Sequence, residues 1–236
     1  DVFTSDEFWE SLGRTLYFTL LCVPTTVTLA LIVALGLFRV GPRRGSAFVR
    51  AMYFAPVVAS LTAVAYIWTW MFNPAYGLLN EILKIFSIEP LQWLNDVDSV
   101  IPSLSIMYIW SRLGFDMLIL ISGLTAIAPE YYEAARIDGA NRWHCFWNIT
   151  LPLLNQQLVL ICVVEMMMAL KVFELPYAAT NGGPVNASRT LVMHIFETAF
   201  QWNRMDEAAV ASIALFVIIL IITASQHFLL SRKIRY

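Results

Sequence analysis

Charged residues are scarce in this sequence of 236 residues. Asp, Glu, Lys and Arg together make up 14% of it, whereas about 25% is usual in soluble domains. Hydrophobic residues make up 59%, against about 45–50% in soluble domains. A chain with so few charges and so many apolar side chains is not a typical soluble domain, and its composition predicts an integral membrane protein.

The sequence also lacks the usual signatures of an enzyme or a metal protein. It contains no Gly-x-x-x-x-Gly-Lys-Ser/Thr phosphate loop, no nucleophile elbow and no pair of catalytic carboxylates on one loop. Its three cysteines are scattered and its three histidines are far apart, so neither a disulfide nor a metal site is predicted. We therefore predict no catalytic residue, metal ligand or cofactor in this chain. The net charge of −2 gives no reason to expect nucleic acid.

Long apolar runs, by contrast, are abundant. A helix needs about 20 predominantly apolar residues to cross a hydrocarbon core of about 30 Å. Runs of that length predict five spans, in a single membrane domain that covers residues 1–236. The predicted fold class is therefore an all-α, polytopic bundle of transmembrane helices. The spans are expected at about residues 12–38, 48–72, 100–126, 153–175 and 207–230.

The distribution of Lys and Arg predicts which ends of these spans face the cytoplasm. The link between the first two spans and the C-terminal tail are both basic, whereas the link at residues 73–98 is acidic. Alternation then places residues 126–152 and the C-terminus in the cytoplasm, and residues 176–207 outside. The basic residues behind this prediction are Arg39, Arg43, Arg44, Arg50, Arg232, Lys233 and Arg235.

Five spans that end in the cytoplasm place residue 1 outside. A bacterial chain rarely begins outside unless a preceding segment translocates it. This sequence begins with Asp rather than Met and shows no signal-peptide pattern. We therefore expect a further span upstream of residue 1 in the full-length protein.

One polar stretch, residues 129–152, lies between two of the predicted spans, on the side predicted to be cytoplasmic. Pro129 and Glu130 are typical of the first turn of a helix, where proline is tolerated and an acid interacts favourably with the helix dipole. A short helix is predicted from about residue 130 to residue 137, followed by a turn at Asp138-Gly139.

The same stretch offers a surface to another protein. Ala134 and Ala135 are small enough for a partner's backbone to come close. Just beyond them, Trp143, Phe146 and Trp147 form an aromatic group. This group could fill a cleft in a partner or anchor the loop at the membrane interface, and the sequence leaves both open. The alternative for the whole stretch is a surface or re-entrant helix that packs on its own bundle.

Residues 133–152 resemble the cytoplasmic coupling loop of bacterial ABC importer permeases. In that loop Glu-Ala-Ala is followed after three residues by Gly, and about a dozen residues further on by Pro; here Glu133-Ala134-Ala135, Gly139 and Pro152 fit. Other segments are similar, in the same order, to those of sugar and glycerol-phosphate permeases. They are residues 72–80, 110–124, 180–184 (with Asn181 where Gly is commoner) and 198–200. The likeness covers the chain apart from the family's usual first helix.

This resemblance implies a type I ABC importer permease in the cytoplasmic (inner) membrane of a bacterium, surrounded by lipid. It implies a second permease subunit, two ATPase subunits that bind ATP and magnesium, and an extracytoplasmic binding protein that delivers a sugar or a glycerol-phosphate-type solute. The residues implied to couple the chain to the ATPase are Glu133, Ala134, Ala135, Arg136, Asp138, Gly139, Ala140 and Pro152.

Three charged residues lie near the middle of predicted spans: Arg112 and Asp116 in the third, and Glu165 in the fourth. A charge near the bilayer centre costs about 2.5–3.5 kcal/mol on insertion scales. Because Arg112 and Asp116 are four residues apart on one helix face, we expect them to pair. The alternative is a hydrated pathway in which these residues meet a hydroxylated or anionic solute. All three are candidates for the substrate path, on the basis of burial and not of a family motif.

Two other functional classes fit parts of the sequence. A secondary transporter driven by an ion gradient would use Arg112, Asp116 and Glu165 as a relay, but it leaves the polar stretch at residues 129–152 unexplained. A membrane enzyme or an assembly scaffold lacks any active-site constellation here. The main prediction is therefore the permease subunit.

Overall fold

The computed structural model describes residues 2–41 and 44–231, and these residues form helices joined by short turns. No strand occurs in this part of the chain, so the all-α prediction is confirmed. The helices are α1 (Asp6–Val40), α2 (Arg44–Val58), α3 (Leu61–Met71), α4 (Leu78–Ile85), α5 (Val100–Ala126), α6 (Pro129–Ile137), α7 (Arg142–Cys145), α8 (Leu151–Leu153), α9 (Asn155–Leu170), α10 (Glu174–Thr180), α11 (Leu191–Phe196) and α12 (Met205–Ser231). Two π-helical turns, Phe146–Thr150 and Glu197–Gln201, interrupt the regular helices.

Three of these helices, α1, α5 and α12, are long and apolar enough to cross a membrane. The second predicted span is broken into two helical pieces. A second break, at residue 154, separates the helix in the fourth predicted span from residues 142–153, which lie mostly in the polar stretch predicted to be cytoplasmic. α2 and α3 meet at 103°, and the run that includes α7 and α8 meets α9 at 63°. Counting each bent pair as one span gives up to five, and the number of spans stays a prediction.

The break between α2 and α3 has a local cause. Pro56 lies near the end of α2, and a proline inside a helix lacks the N–H needed for the next backbone hydrogen bond. Ser60 then begins a new helix, because its hydroxyl accepts a hydrogen bond from the Ala63 N–H at 3.2 Å. Pro24, by contrast, lies inside α1, which continues past it for more than four turns.

Part of the predicted orientation rests on residues outside the described ones. Arg43 and the tail residues Arg232, Lys233 and Arg235 are among these. The predicted inside and outside faces are therefore carried forward as predictions.

α1 and α5 form the centre of the bundle, with α9 packed against both. The buried face of α1 carries several hydroxyl groups that are satisfied within the helix. The Thr15, Thr19 and Thr26 hydroxyls each donate to the carbonyl four residues earlier, at 2.7–2.8 Å. A hydroxyl that bonds to its own helix places no unpaired polar group against its apolar neighbours. Thr19 and Thr26 therefore pack in the core without a partner from another helix among the described residues, whereas the Thr15 hydroxyl also accepts from the Leu191 N–H of α11 at 2.8 Å.

Asn80 organises the loop on the side predicted to be outside. Its side chain, which is buried, bonds to the carbonyls of Pro74 and Leu91 and accepts from the Leu91 N–H and the Trp93 indole N–H, at 2.8–3.3 Å. The Trp93 ring then stacks on Phe72, with 4.7 Å between ring centroids. One amide thus ties the turn after α3 to the loop that leads into α5.

Arg189, also on the predicted outer side, holds the segment before α11 to α1. Its guanidinium lies 3.6 Å from Glu7 and 2.6 Å from Glu197, and donates to His194 Nδ1 at 3.0 Å. It also lies over the Trp202 ring, 4.9 Å from the centroid. Burial, and then the positive charge of Arg189, lower the pKa of His194, so the neutral ring is the form that accepts from the arginine.

The contact between α2 and α5 depends on Gly114. A Cβ added to Gly114 would fall inside van der Waals distance of the Tyr53 carbonyl and 2.9 Å from the Phe54 Cα. We predict that Gly114→Ala lowers the free energy of unfolding of the purified protein by about 1–3 kcal/mol, because the backbone must move to admit the methyl group.

Gly13→Ala is the matched control. Gly13 also lies in a helix, α1, but a Cβ there meets nothing within 4 Å, so this change should leave stability equal or up to about 1 kcal/mol higher. Thermal unfolding in detergent, followed by intrinsic fluorescence, measures both. Equal melting temperatures for the two variants would contradict the close helix contact.

Candidate coupling surface and buried charge cluster

The predicted short helix in the polar stretch is confirmed as α6. Pro129 is its first residue, after Ala128 in an extended conformation, and Glu130 lies in the first turn. No residue of α6 is buried. The helix is therefore held by its two ends and by few tertiary contacts. One of these joins the hydroxyls of Tyr132 and Thr150 at 3.0 Å.

The C-terminal end of α6 is closed by a glycine in the left-handed conformation. Gly139 has φ 81°. Its N–H bonds to the Arg136 carbonyl at 3.1 Å, and the Ala140 N–H bonds to the Ala135 carbonyl at 2.9 Å. These two bonds form a Schellman motif. Because no atom lies within 4 Å of a Cβ added to Gly139, the backbone conformation and not the available space favours glycine here.

Pro152 lies apart from the other residues of the implied coupling set. It is in α8, directly after the π-helical turn Phe146–Thr150. A proline cannot donate to the carbonyl four residues earlier, which is consistent with the wider turn that precedes it. Glu133, Ala134, Ala135, Arg136, Asp138, Gly139 and Ala140 lie together in α6 and the turn that ends it.

Large apolar side chains are exposed on and beside α6. Ile137 is 88% exposed, Trp143 68%, Tyr131 57% and Trp147 49%. The Trp143, Phe146 and Trp147 rings contact one another, with centroids 5.3–6.0 Å apart. An apolar surface of this kind is typical of a site that another protein or the membrane covers. We call Tyr131, Ile137, Trp143 and Trp147, with the exposed side of α6, the coupling surface.

A cleft of about 750 Å³ separates α6 from the end of α1. Glu133, Arg136 and Ala140 line it from α6 and its turn, and Arg39 and Arg142 line it from the facing elements. The predicted coupling residues thus border open space on two sides: the cleft lies on one side of α6, and the exposed surface of the helix lies on the other. α6 stands away from the bundle as a separate element.

A cluster of buried charges lies between α5 and α9. The Arg112 guanidinium donates two hydrogen bonds to one oxygen of Glu165, at 2.7 and 2.9 Å. The Tyr108 hydroxyl donates to the other oxygen at 2.9 Å. The Glu165 side chain is fully buried, whereas 20% of the Arg112 side chain is exposed. The carboxylate is therefore sealed inside the subunit, and the guanidinium reaches the subunit's surface.

The expected pair between Arg112 and Asp116 is wrong. Among the described residues, the ion-pair partner of Arg112 is Glu165 and not Asp116. Side chains on a helix lean toward its N-terminus, so Arg112 points away from a residue four positions later. The reverse order, acid before base, is the favourable one.

Asp116 is buried, and neither of its carboxyl oxygens has a hydrogen-bond partner among the described residues. It lies in α5 one turn after Arg112. The structure thus brings Arg112 and Glu165 together and leaves Asp116 beside them without a bond. The role of all three on a substrate path stays a prediction.

Two features of the structure, the Tyr108 bond to Glu165 and the Arg189 cluster, were not predicted from the sequence. Tyr108 lies four residues before Arg112, on the same helix face, and this spacing could have identified it as a second ligand of Glu165. The Arg189 cluster gave no such signal, because Glu7 is distant in sequence and reaches Arg189 only through the fold.

Comparison with known proteins identifies the family that this chain matches. The sequence profile of the binding-protein-dependent transport system inner membrane components matches residues 5–236. The trehalose/maltose transport system permease protein MalF of Thermococcus litoralis is 32% identical over 222 residues, which cover 94% of this chain and 74% of that protein. The sn-glycerol-3-phosphate transport system permease protein UgpA of Agrobacterium fabrum is 31% identical over 238 residues, covering 100% of this chain and 80% of that protein.

A solved structure shares the fold. It is a crystal structure of a bacterial alginate ABC transporter in complex with an alginate pentasaccharide-bound periplasmic protein. One of its chains superposes with a TM-score of 0.88 at 24% identity, over 98% of this chain and 81% of that one. The type I importer permease fold is therefore confirmed.

The ion pair between α5 and α9 generates a prediction about stability. Breaking a buried pair by removing one partner costs about 3–5 kcal/mol, whereas replacing both partners by apolar residues is often neutral. We predict that Glu165→Met and Arg112→Met each lower the melting temperature in detergent, and that the double variant recovers most of the loss.

A conservative control separates the charge from the hydrogen bonds. Tyr108→Phe removes one hydroxyl and leaves the ion pair in place, so its loss should be smaller than that of either single Met variant. Additive losses in the double variant would show that Arg112 and Glu165 do not depend on each other.

Proposed function

The chain belongs to the family of binding-protein-dependent transport system inner membrane components, and from this we propose that it is the permease subunit of an ATP-driven importer. Its solute is a carbohydrate or a glycerol-phosphate-type compound. The match to 74% of a trehalose/maltose permease and to 80% of a glycerol-phosphate permease supports this solute range. The observation that carries the proposal is the match of the family over residues 5–236, together with the exposed α6, which starts at a proline and ends in a Schellman motif.

The proposed partners supply the functions that an ATP-driven importer needs and that this chain does not provide. This chain has no phosphate loop, so ATP and magnesium bind to two partner ATPase subunits in the cytoplasm. A second permease subunit completes the path across the inner membrane. An extracytoplasmic binding protein delivers the solute. The alginate transporter complex, which contains a periplasmic protein, supports this partner. The C-terminus of this chain lies in the cytoplasm, in accordance with its basic tail.

α6 transmits the work of the ATPase subunits. An element that transmits force must stay folded under load. α6 begins at a proline and ends in a Schellman motif, both of which favour the helical conformation. Its exposed Ile137 and Tyr131 give an apolar contact for the ATPase, and Ala134 and Ala135 allow close backbone approach. Movement of α6 passes into α5, since only two residues separate the helices.

The solute passes the buried charge cluster. The Arg112 side chain is 20% exposed, and its pairing with Glu165 balances the charges of these two residues inside the membrane. A guanidinium edge with free N–H groups can donate hydrogen bonds to a hydroxyl or an anionic oxygen. Asp116, next to the pair, has unbonded carboxyl oxygens in the described structure. We assign these three residues to the substrate path.

The alternative class, a secondary transporter driven by an ion gradient, finds no support. The relatives described above are permeases of binding-protein-dependent systems. The coupling surface would also have no role in such a transporter.

Gly139 provides the test of coupling. Val is strongly disfavoured at φ 81°, whereas Asn tolerates this conformation. We predict that Gly139→Val lowers ATP-driven uptake in the reconstituted complex at least about fivefold, since a strain of about 1–2 kcal/mol alters the end of α6. Gly139→Asn should retain most of the uptake.

Gly41→Val is the matched control. Gly41 ends α1 with φ 71° and open space around it, but it lies outside α6, so its strain should leave uptake per assembled complex near that of the unmodified protein. Uptake that continues without ATP, or that Gly139→Val leaves intact, would contradict the proposed function.

A further inference from the structure

A second cavity opens at the end of the bundle predicted to be outside, and its volume is about 460 Å³. It lies between the turn after α3, the loop before α5, and α10 with the turn that follows it. None of the residues that line it is charged. Its polar side chains are those of Asn73, Asn95, Tyr177 and Asn181, with Thr69 and Thr180, whose hydroxyls are bonded within the protein, and its apolar wall includes Phe72. We call this cavity the outer vestibule.

Several of these polar groups have no partner. The Asn73 Oδ1 atom accepts from the Ala75 and Tyr76 N–H groups, at 2.9 and 3.3 Å, which leaves its amide NH₂ free. The Tyr177 hydroxyl and the side-chain amides of Asn95 and Asn181 make no hydrogen bond to any described residue. The vestibule therefore presents amide donors, amide acceptors and a hydroxyl, all without a net charge.

The walls of the vestibule are rigid. Tyr177 is stacked on Phe173, with 5.1 Å between centroids, and is packed edge-on against Phe196 at 5.7 Å. On the opposite wall, Phe72 is buried and stacked on Trp93, whose indole N–H is bonded to Asn80. Because these contacts fix the rings before anything binds, the cavity is preformed, as small-molecule sites usually are.

The chemistry of the lining selects among solutes. Amide groups bond to hydroxyls in both directions, and aromatic rings cover the apolar face of a sugar ring. A phosphate or a carboxylate is recognised instead by Arg, Lys or an array of backbone N–H groups, and no Arg or Lys lines this cavity. An uncharged, polyhydroxylated solute therefore fits the vestibule better than a glycerol phosphate does.

We infer that the outer vestibule is a solute-contact site, which receives an uncharged sugar as the binding protein releases it. This inference rests on the proposed function. Phe72 in the wall of the vestibule belongs to the same buried core as Tyr108, which bonds to Glu165.

Asn181 and Asn186 allow a matched test. Both have positive φ, 48° and 61°, and lie in the same turn, but only Asn181 lines the vestibule. The complex is reconstituted with its ATPase subunits, its second permease and its loaded binding protein. Two quantities are measured for each variant: solute molecules imported per ATP hydrolysed, and the binding-protein concentration that gives half-maximal ATPase activity.

For Asn181→Asp and Tyr177→Phe, we expect about two- to tenfold fewer solute molecules imported per ATP, the effect of losing one hydrogen bond. The half-maximal binding-protein concentration should not change, and Asn186→Asp should behave like the unmodified complex. Tyr177→Phe keeps the ring contacts with Phe173 and Phe196, so misfolding would not account for a lower import ratio in this variant. Mass spectrometry of the solute carried by the binding protein should identify an uncharged sugar.

Three results would overturn the inference. An increased half-maximal binding-protein concentration with an unchanged import ratio would show that the vestibule is a docking surface for the binding protein. Unchanged values for both variants would show that no solute contacts it. A phosphorylated or carboxylated cargo would contradict the uncharged class. Failure of the proposed function is distinct, because the unmodified complex would then show no ATP-driven uptake.

Discussion

Glu165 is a fully buried carboxylate in a membrane-spanning bundle, and α5 supplies it with a positive partner. Arg112 supplies two hydrogen bonds and a compensating charge, and Tyr108 supplies a third bond. Without water to stabilise it, an unpaired charge at that depth would cost several kcal/mol. The pair therefore fixes α9 against α5. α5 in turn packs on α1 and α2.

The same constraint explains where polar side chains lie elsewhere in the described structure. Threonines on α1 bond to their own helix, and Asn80 and Arg189 each gather several partners at the predicted outer end. α6 is the exception, because it exposes apolar side chains and buries none. A helix that ends in a Schellman motif yet is left uncovered indicates a surface completed by another subunit.

Periodicity and composition predicted much of the fold but not its breaks. The long apolar runs identify α1, α5 and α12, and Pro129 and Gly139 mark the ends of α6 closely. An apolar run does not reveal where α2 stops and α3 turns through 103°, since that depends on Pro56 and on the space beside α5. The partner of Arg112 was predicted wrongly because spacing along one helix says nothing about a carboxylate on another. The outer vestibule could not be predicted, because its lining residues come from three separate segments.

The most direct test of the central claim, that α6 transmits work from a partner ATPase, is disulfide cross-linking at Ala134. A cysteine is placed at Ala134, with Cys145 changed to serine because it lies nearby and is partly exposed, and single cysteines are placed along the groove of the ATPase subunit. The account predicts a cross-link whose yield changes between the nucleotide-free and the ATP-bound complex. A cysteine at Ala134 that a water-soluble thiol reagent labels fully in every state, with no cross-link to the ATPase, would contradict it.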